Sequence, residues 1–305
     1  MSALDKPSRK RGLKTAFAKH MEHVTFDGDT GALSSKASRG QDKLLLESTS
    51  FLLDENNMPK KRYFRSRAHC NPLSNNDGFQ YPLLPSSDVW EAHYPNIEKD
   101  KRIVRILDIG MGFGGLTVAL AKLFPDKLVL GMEIRAKVRE YVRLRIDALR
   151  NEDTNMNNFQ NAACLRTNCM RYLPNFFEKG QIEKMFFAFP DPHFKAKNHK
   201  RRIVNTNLLT EYAYFLKPNG RLYCITDVED LHKWHVEKCT AHPCFERLPD
   251  EEMLTSDPAV KAMIETTEEG IKVARNKGSK FWAVYRRREE AEIPPVIQDF
   301  VQRSL

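Results

Sequence analysis

The chain has 305 residues, 41% of them hydrophobic, enough for one sizeable core with tails. No apolar run approaches the roughly 20 residues that a membrane-spanning helix needs, and the charged opening stretch is expected not to be a secretory signal. A formal net charge of +9 favours a polyanionic partner, while six cysteines without a C-x-x-C pair argue against a disulfide framework and for a reducing compartment.

Residues 1–58 read as a disordered or flexible basic tail, with Arg9, Lys10, Arg11, Lys14 and Lys19 as a nuclear address or a phosphate-contacting arm. A single domain is expected over 59–290, followed by a second tail over 291–305. The domain opens on PKKRYFRSRAHCNPL, where Lys60, Lys61, Arg62, Arg65 and Arg67 interleave with Tyr63 and Phe64. Cations beside aromatic faces suit a strand of RNA, through phosphate neutralisation and stacking, and the same aromatics could also pack on their own domain.

Beyond Lys101 strands and helices alternate. RIVRILDIG predicts a buried strand, LTVALAKLF a helix, KLVLGME a second strand and IRAKVREYVRLRIDALR an amphipathic helix rich in Arg. ACLRTN is a third strand and KMFFAFPD a fourth, apolar almost throughout, as burial on both faces requires. LLTEYAYFL predicts a helix stopped by Lys217-Pro218-Asn219-Gly220, RLYCITDV a fifth strand and LHKWHVEKC a helix. HPCFERL and KFWAVYRRR are the last strands, around the helix TTEEGIKVARN. The alternation implies a doubly wound, mostly parallel α/β sheet with an antiparallel strand near one edge.

Between the first strand and first helix stands Asp108-Ile-Gly110-Met-Gly112-Phe-Gly114-Gly115, with Glu133 ending the second strand. Glycines there let a ligand approach the backbone and the free N–H groups of the following helix, and an acid at that spacing suits ribose hydroxyls. Gly110, Gly112 and Gly115 also satisfy G-x-G-x-x-G, so an NAD-dependent oxidoreductase competes. Asp108, placed to fix the loop or meet a cationic ligand, and the paired Gly114-Gly115 favour a methyltransferase loop. Asn168 after the third strand could bond an adenine edge, with Cys169 and Met170 packing on the ring.

The fourth strand ends in Pro190-Asp191-Pro192-His193-Phe194, at the carboxyl edge where open α/β sheets bind ligands. The prolines restrict the backbone around Asp191, Phe194 offers a stacking face, and His193 and Lys195 could meet phosphates. The segment is similar to the Asp/Asn-Pro-Pro-aromatic motif of amino-methylating enzymes. Lys195, Lys197, His199, Lys200, Arg201 and Arg202 follow, a run placed to track RNA backbone. His232, His235, Cys239, His242 and Cys244 lack the tight ligand pairs of a closed zinc site, so no metal is expected.

Taken together, KKRYFRSRAHCNP, DIGMGFGG, LGMEIRAKV, LPNFFEKGQIEKMFFAFPDPHFK, EYAY, ITDVEDLH, HPCFERL and TEEGIKV resemble the eukaryotic tRNA (guanine-N7)-methyltransferase catalytic subunit. The resemblance runs from about Pro59 to Arg288. It implies a seven-stranded Rossmann-like class I methyltransferase fold with helices on both faces. It further implies methyl transfer from S-adenosylmethionine to a guanine in the tRNA variable loop, beside a noncatalytic WD-repeat propeller subunit and in the nucleus. Carried over by position, it assigns Gly110, Glu133, Arg135, Asn168, Cys169, Ala188, Thr267 and Glu269 to the cofactor and Asp191 to catalysis. Met111, Cys169 and Ala188 depart from the residues common in relatives. A catalytically idle RNA-binding protein on the same fold is the second alternative.

Overall fold

In the computed structural model, residues 25–26, 33–34, 52–67, 70–74, 78–152 and 158–294 are described. The chain divides into two compact units, Met1–Asp54 and Glu55–Leu305. The first holds an antiparallel pair, β1 (Thr25–Phe26) and β2 (Leu33–Ser34), with Thr25 opposite Ser34. The cluster Arg9, Lys10, Arg11, Lys14 and Lys19, and residues 295–305 of the tail expected over 291–305, lie outside the described residues.

The second unit runs β3 (Val104–Ile109), α1 (Gly115–Leu123), β4 (Leu128–Glu133), α2 (Ala136–Arg150), β5 (Ala162–Arg166), α3 (Cys169–Phe176) and β6 (Ile182–Ala188). It continues with α4 (Thr206–Phe215), β7 (Leu216–Thr226), α5 (Glu229–Ala241) and β8 (Phe245–Arg247). Helices α6 (Asp250–Ser256), α7 (Pro258–Thr266) and α8 (Glu268–Arg275) precede β9 (Phe281–Arg287). The seven strands from β3 onward form one sheet in the order β5-β4-β3-β6-β7-β9-β8. Strands β5 through β7 are parallel and β9 is antiparallel to both its neighbours. The expected Rossmann-like sheet, mostly parallel with helices on both faces, is therefore present. Among the described residues, no helix is long and apolar enough to cross a membrane.

Strand β6 explains why its sequence is apolar without alternation. Phe187 turns to the face covered by α4, its ring 4.9 Å from Tyr212, while Phe186 turns to the other and stacks on Tyr223 at 4.2 Å. All four rings are fully buried. Removing a side chain of this size from water stabilises the fold by about 1.5–3 kcal/mol.

Three helices go beyond the sequence reading. Helix α3 contains Pro174, which interrupts helical periodicity, and starts from the side-chain cap of Asn168. Helix α6 carries acids in its first turn, and α7 starts from Asp257 as N-cap with Pro258 behind it, a start signal the sequence displays. The Lys217–Gly220 stretch corrects one expectation. It follows the first residue of β7 instead of a helix end, and Asn219 turns the chain at φ 63° before pairing resumes at Arg221.

The register places the site. Ile109 lies level with Met132 on one side and Phe187 on the other. The residues after them, Gly110, Glu133 and Ala188, thus emerge side by side at the carboxyl edge. Strand order reverses there, and an open α/β sheet has its crevice at that point.

Candidate active site

One cleft at this edge is lined by Gly110, Glu133, Arg135, Asn168, Cys169 and Ala188 together with Asp191, His193 and Arg201. The glycine turn is folded over the end of β4, since the N–H groups of Gly110 and Met111 both donate to the Met132 carbonyl (2.8 and 3.1 Å). Gly110 sits at φ +76°, and a Cβ there would enter the cleft with no protein atom within 4 Å. The backbone can consequently approach a ligand directly. Gly115 answers a different need, because a Cβ there would collide with the Thr266 carbonyl at the end of α7.

Asp108 points beneath the turn. It is 1% exposed and accepts a hydrogen bond from the Thr117 hydroxyl of α1 (2.7 Å). Burial pushes its carboxyl up to about 7, against the Thr117 bond and with help from the charges of Glu268 and Glu133. Asp108 thus ties the end of β3 to α1, and its buried carboxyl is not among the groups that line the cleft. Gly112 is likewise absent from the lining.

Glu133 is 3% exposed, with both carboxylate oxygens facing donors of Arg135. The backbone N–H and Nε of Arg135 donate to Oε1 (both 3.0 Å), and Nη2 donates to Oε2 (2.7 Å). Next to it, Asn168 accepts from the Met170 N–H (3.1 Å) as the cap of α3 and donates Nδ2–H to the Pro72 carbonyl (2.6 Å). Pro72 and Cys70, at the end of the basic arm, line the cleft too, a placement the sequence reading did not assign to them. Leu73, Tyr81 and Pro82 also meet α3. Arg171 donates to the Leu73 carbonyl, Tyr81 stacks on Tyr172 at 4.3 Å, and Asn175 donates to the Pro82 carbonyl. Positions 168, 171, 172 and 175 share one face by helical spacing.

The loop after β6 is strained. Phe189 and His193 hold φ of 50° and 44°, left-handed values costly for residues with a Cβ, typically about 1–3 kcal/mol each. Between them Asp191 accepts from the His193 N–H (3.2 Å). Phe189 is anchored by donating its N–H to Ile225 (2.8 Å). Thr267 and Glu269 do not line the cleft. Thr267 caps α8 by accepting from the Gly270 N–H (3.1 Å), and Glu269 pairs with Lys272 on the surface (3.0 Å). It is Glu268, unnoticed in the sequence, that reaches the glycine loop. Its carboxylate accepts from the Gly115 N–H (3.2 Å), Arg145 (3.2 Å) and Lys61 (3.3 Å).

The cations expected to meet RNA divide by burial. In the arm, Arg62 and Arg65 are exposed, as is Lys61, which lies over the Phe113 ring at 5.2 Å. Lys60 is half-buried, and Phe64 packs inward, edge-on to Tyr141 at 5.7 Å. Lys195, Lys197 and Lys200 are exposed around Phe194, itself 72% exposed. Arg202 is 6% exposed and turned inward, so its assignment to RNA is corrected. The arginines of helix α2 are engaged within the protein as well. Arg143 pairs with Glu140 and Asp147, Arg145 with Glu268 and the Phe113 carbonyl, and Arg150 with the carbonyls of His93 and Ala162.

The histidines and cysteines near α5 are taken up separately. His232 stacks on Phe281, and His242 holds the Cys244 N–H and faces the Thr210 hydroxyl at 3.1 Å. Among the described residues no group of three or more His, Cys, Asp or Glu is placed to hold a metal ion.

Residues 102–283 match the model of a methyltransferase family, Methyltransf_4. A tRNA (guanine-N(7)-)-methyltransferase of Yarrowia lipolytica is 54% identical over 77% of this chain and 80% of its own length. Proteins of the same name from Drosophila virilis and Drosophila simulans are 52% and 48% identical, over 75% and 85% of this chain and 92% and 98% of theirs. The family match spans both the glycine turn and the aspartate loop that share the cleft, and at these identities the chain belongs to the tRNA (guanine-N(7)-)-methyltransferase family of enzymes.

Proposed function

We propose that this enzyme methylates N7 of a guanine in the tRNA variable loop, with S-adenosylmethionine as methyl donor, Asp191 as its catalytic residue and the cleft beside Gly110 as the donor site. The observation that carries the reading is the convergence of Gly110, Glu133 and Asp191 on one cleft. The residues present fit the donor. The missing side chain of Gly110 opens the floor, Glu133 offers carboxylate oxygens for ribose hydroxyls, and Asn168, Cys169 and Met170 form the wall where an adenine would lie. When bound, S-adenosylmethionine supplies an electrophilic methyl group on a sulfonium.

Guanine N7 has an in-plane lone pair and no proton, so the transfer needs no general base. The product ring is cationic. What remains for the protein is to hold the purine in line and to support the charge that develops. In this reading Asp191 accepts hydrogen bonds from the guanine and stabilises the forming cation without taking a proton. Phe194, exposed at the rim, stacks a base, and the lysines around it with Arg62, Arg65 and their neighbours bind the phosphate backbone. A noncatalytic WD-repeat propeller partner and a nuclear location complete the proposal; both rest on the family resemblance.

The test is to incubate the full chain, alone and with a propeller partner, with unmodified tRNA and labelled donor, and to map the methylated base. Label at guanine N7 in the variable loop is expected, with a fall of about 100-fold or more in Asp191→Asn at unchanged tRNA affinity. Calorimetry should detect S-adenosylhomocysteine and not NAD. The reverse binding pattern would return the oxidoreductase reading, and tRNA binding without transfer the idle one.

A further inference from the structure

Arg202 is a buried cation that the proposed chemistry leaves unused. Its Nε–H donates to the carbonyl of Pro192 at 2.9 Å, and its guanidinium carbon lies 4.6 Å from the centre of the Trp234 ring. Trp234 projects from α5 and is itself held, donating its indole N–H to the Val204 carbonyl at 2.7 Å. Asn205 donates to the Arg202 carbonyl at 2.8 Å, fixing the backbone on the other side. With 6% of its surface exposed, Arg202 faces the protein and not solvent.

The bond it makes has a particular target. The Pro192 carbonyl belongs to the peptide that enters His193, whose φ is 44°. Turning that peptide plane back to an ordinary conformation would swing the carbonyl off the guanidinium. It would also move the His193 N–H, which now donates to Asp191 Oδ1. A charged donor on a carbonyl is stronger than a neutral one, and the aromatic face behind the guanidinium restricts its plane. Through Trp234, Arg202 is tied to α5, so it references the loop to an element of the helix layer.

We infer that Arg202, backed by Trp234, is a positioning residue that holds the Pro192–His193 peptide in its strained conformation and thereby aims the Asp191 carboxylate. This deepens, and rests on, the reading of Asp191 as the residue that meets the guanine. A carboxylate misplaced by an ångström is enough to cost about 100-fold in rate.

The experiment uses the full chain in the form in which the unsubstituted protein is active, and compares it with Arg202→Lys, Arg202→Met and Trp234→Leu. For Arg202→Met the expected result is a fall in kcat of about 10- to 100-fold. The KM for tRNA and the affinity for S-adenosylhomocysteine should be unchanged, because neither phosphate contacts nor the donor side of the cleft are touched. Added guanidinium at millimolar concentration should restore part of the rate to Arg202→Met. Arg202→Lys, which keeps the charge and loses the planar stack, and Trp234→Leu, which loses the backing, should fall between. Unchanged kcat in Arg202→Met, or a loss of tRNA affinity with kcat intact, overturns the inference. If Arg202→Met does not fold, the decision passes to Arg202→Lys and Trp234→Leu, where a folded variant with wild-type kcat overturns it equally. Absence of N7 transfer by the unsubstituted protein would instead overturn the functional reading on which the inference stands.

Discussion

Asp108 shows how one carboxyl can be near a site without belonging to its surface. Its sequence position, two residues before the first glycine, suits either a ligand contact or a structural role. Burial decides, and the same burial makes the residue a reporter on stability. In the unfolded chain an aspartate ionises near about 3.9, while here the carboxyl is held up to about 7. Between those values the folded protein binds more protons than the unfolded one. Its contribution is complete below about pH 4 and is lost as pH rises to about 7, with a slope of at most about 1.4 kcal/mol per pH unit. Asp108→Asn retains an acceptor for Thr117 and removes the titration. The melting temperature of the variant, minus that of the parent, is expected to climb between about pH 4 and 7 and level off above. A difference that stays flat across the window would show that Asp108 titrates normally.

At the scale of elements, helix α3 links the end of β5, the cleft wall and the end of the basic arm. Asn168 serves three of these links: it lines the cleft, caps the helix and holds Pro72. Replacing it by Ala removes a helix cap, worth about 0.5–2 kcal/mol, and frees the end of the arm at the cleft. Limited proteolysis should therefore cut near residues 70–74 faster in Asn168→Ala than in the parent, with the sheet remaining intact. Equal cutting rates would mean that the remaining contacts to Arg171, Tyr172 and Asn175 suffice. By contrast, Phe187→Ala in the central strand β6 is expected to cost about 3–5 kcal/mol and to lower the global denaturation midpoint, because its cavity cannot collapse between two covered faces. Most strands were legible from the sequence because β3, β4 and β6 each carry a short apolar run bounded by turn signals, as a strand covered on both faces does. Helix α3 was not, since Pro174 breaks its periodicity and its partners Pro72, Leu73, Tyr81 and Pro82 lie far away in sequence.

For the whole molecule the net charge of +9 argues for a polyanion, and the fold sorts which cations are available to it. Lys195, Lys197 and Lys200 stand exposed beside Phe194, whereas Arg202 and much of the α2 arginine set are spent inside the protein. Substituting Gln for each exposed lysine should lower the slope of log tRNA affinity against log salt by about 1 per contact removed. Arg202→Met should leave that slope unchanged. A smaller slope in Arg202→Met, or none of the expected loss in the lysine variants, would reverse the division between structural and RNA-facing charge.

The sequence by itself determined the sheet, the glycine turn and the proline-framed aspartate, since each is a local pattern of periodicity, turn chemistry or restricted backbone. It also carried enough resemblance, residue by residue, to point to the enzyme family. Only tertiary structure decided which charged groups remain at the surface. Burial of Asp108, the inward turn of Arg202 onto Trp234, and the reach of Glu268 to the Gly115 N–H all join elements distant along the chain or hidden from solvent. A one-dimensional pattern records residue type and spacing; whether a charge meets water, a carbonyl or an aromatic face depends on packing between elements, and that is fixed by the fold.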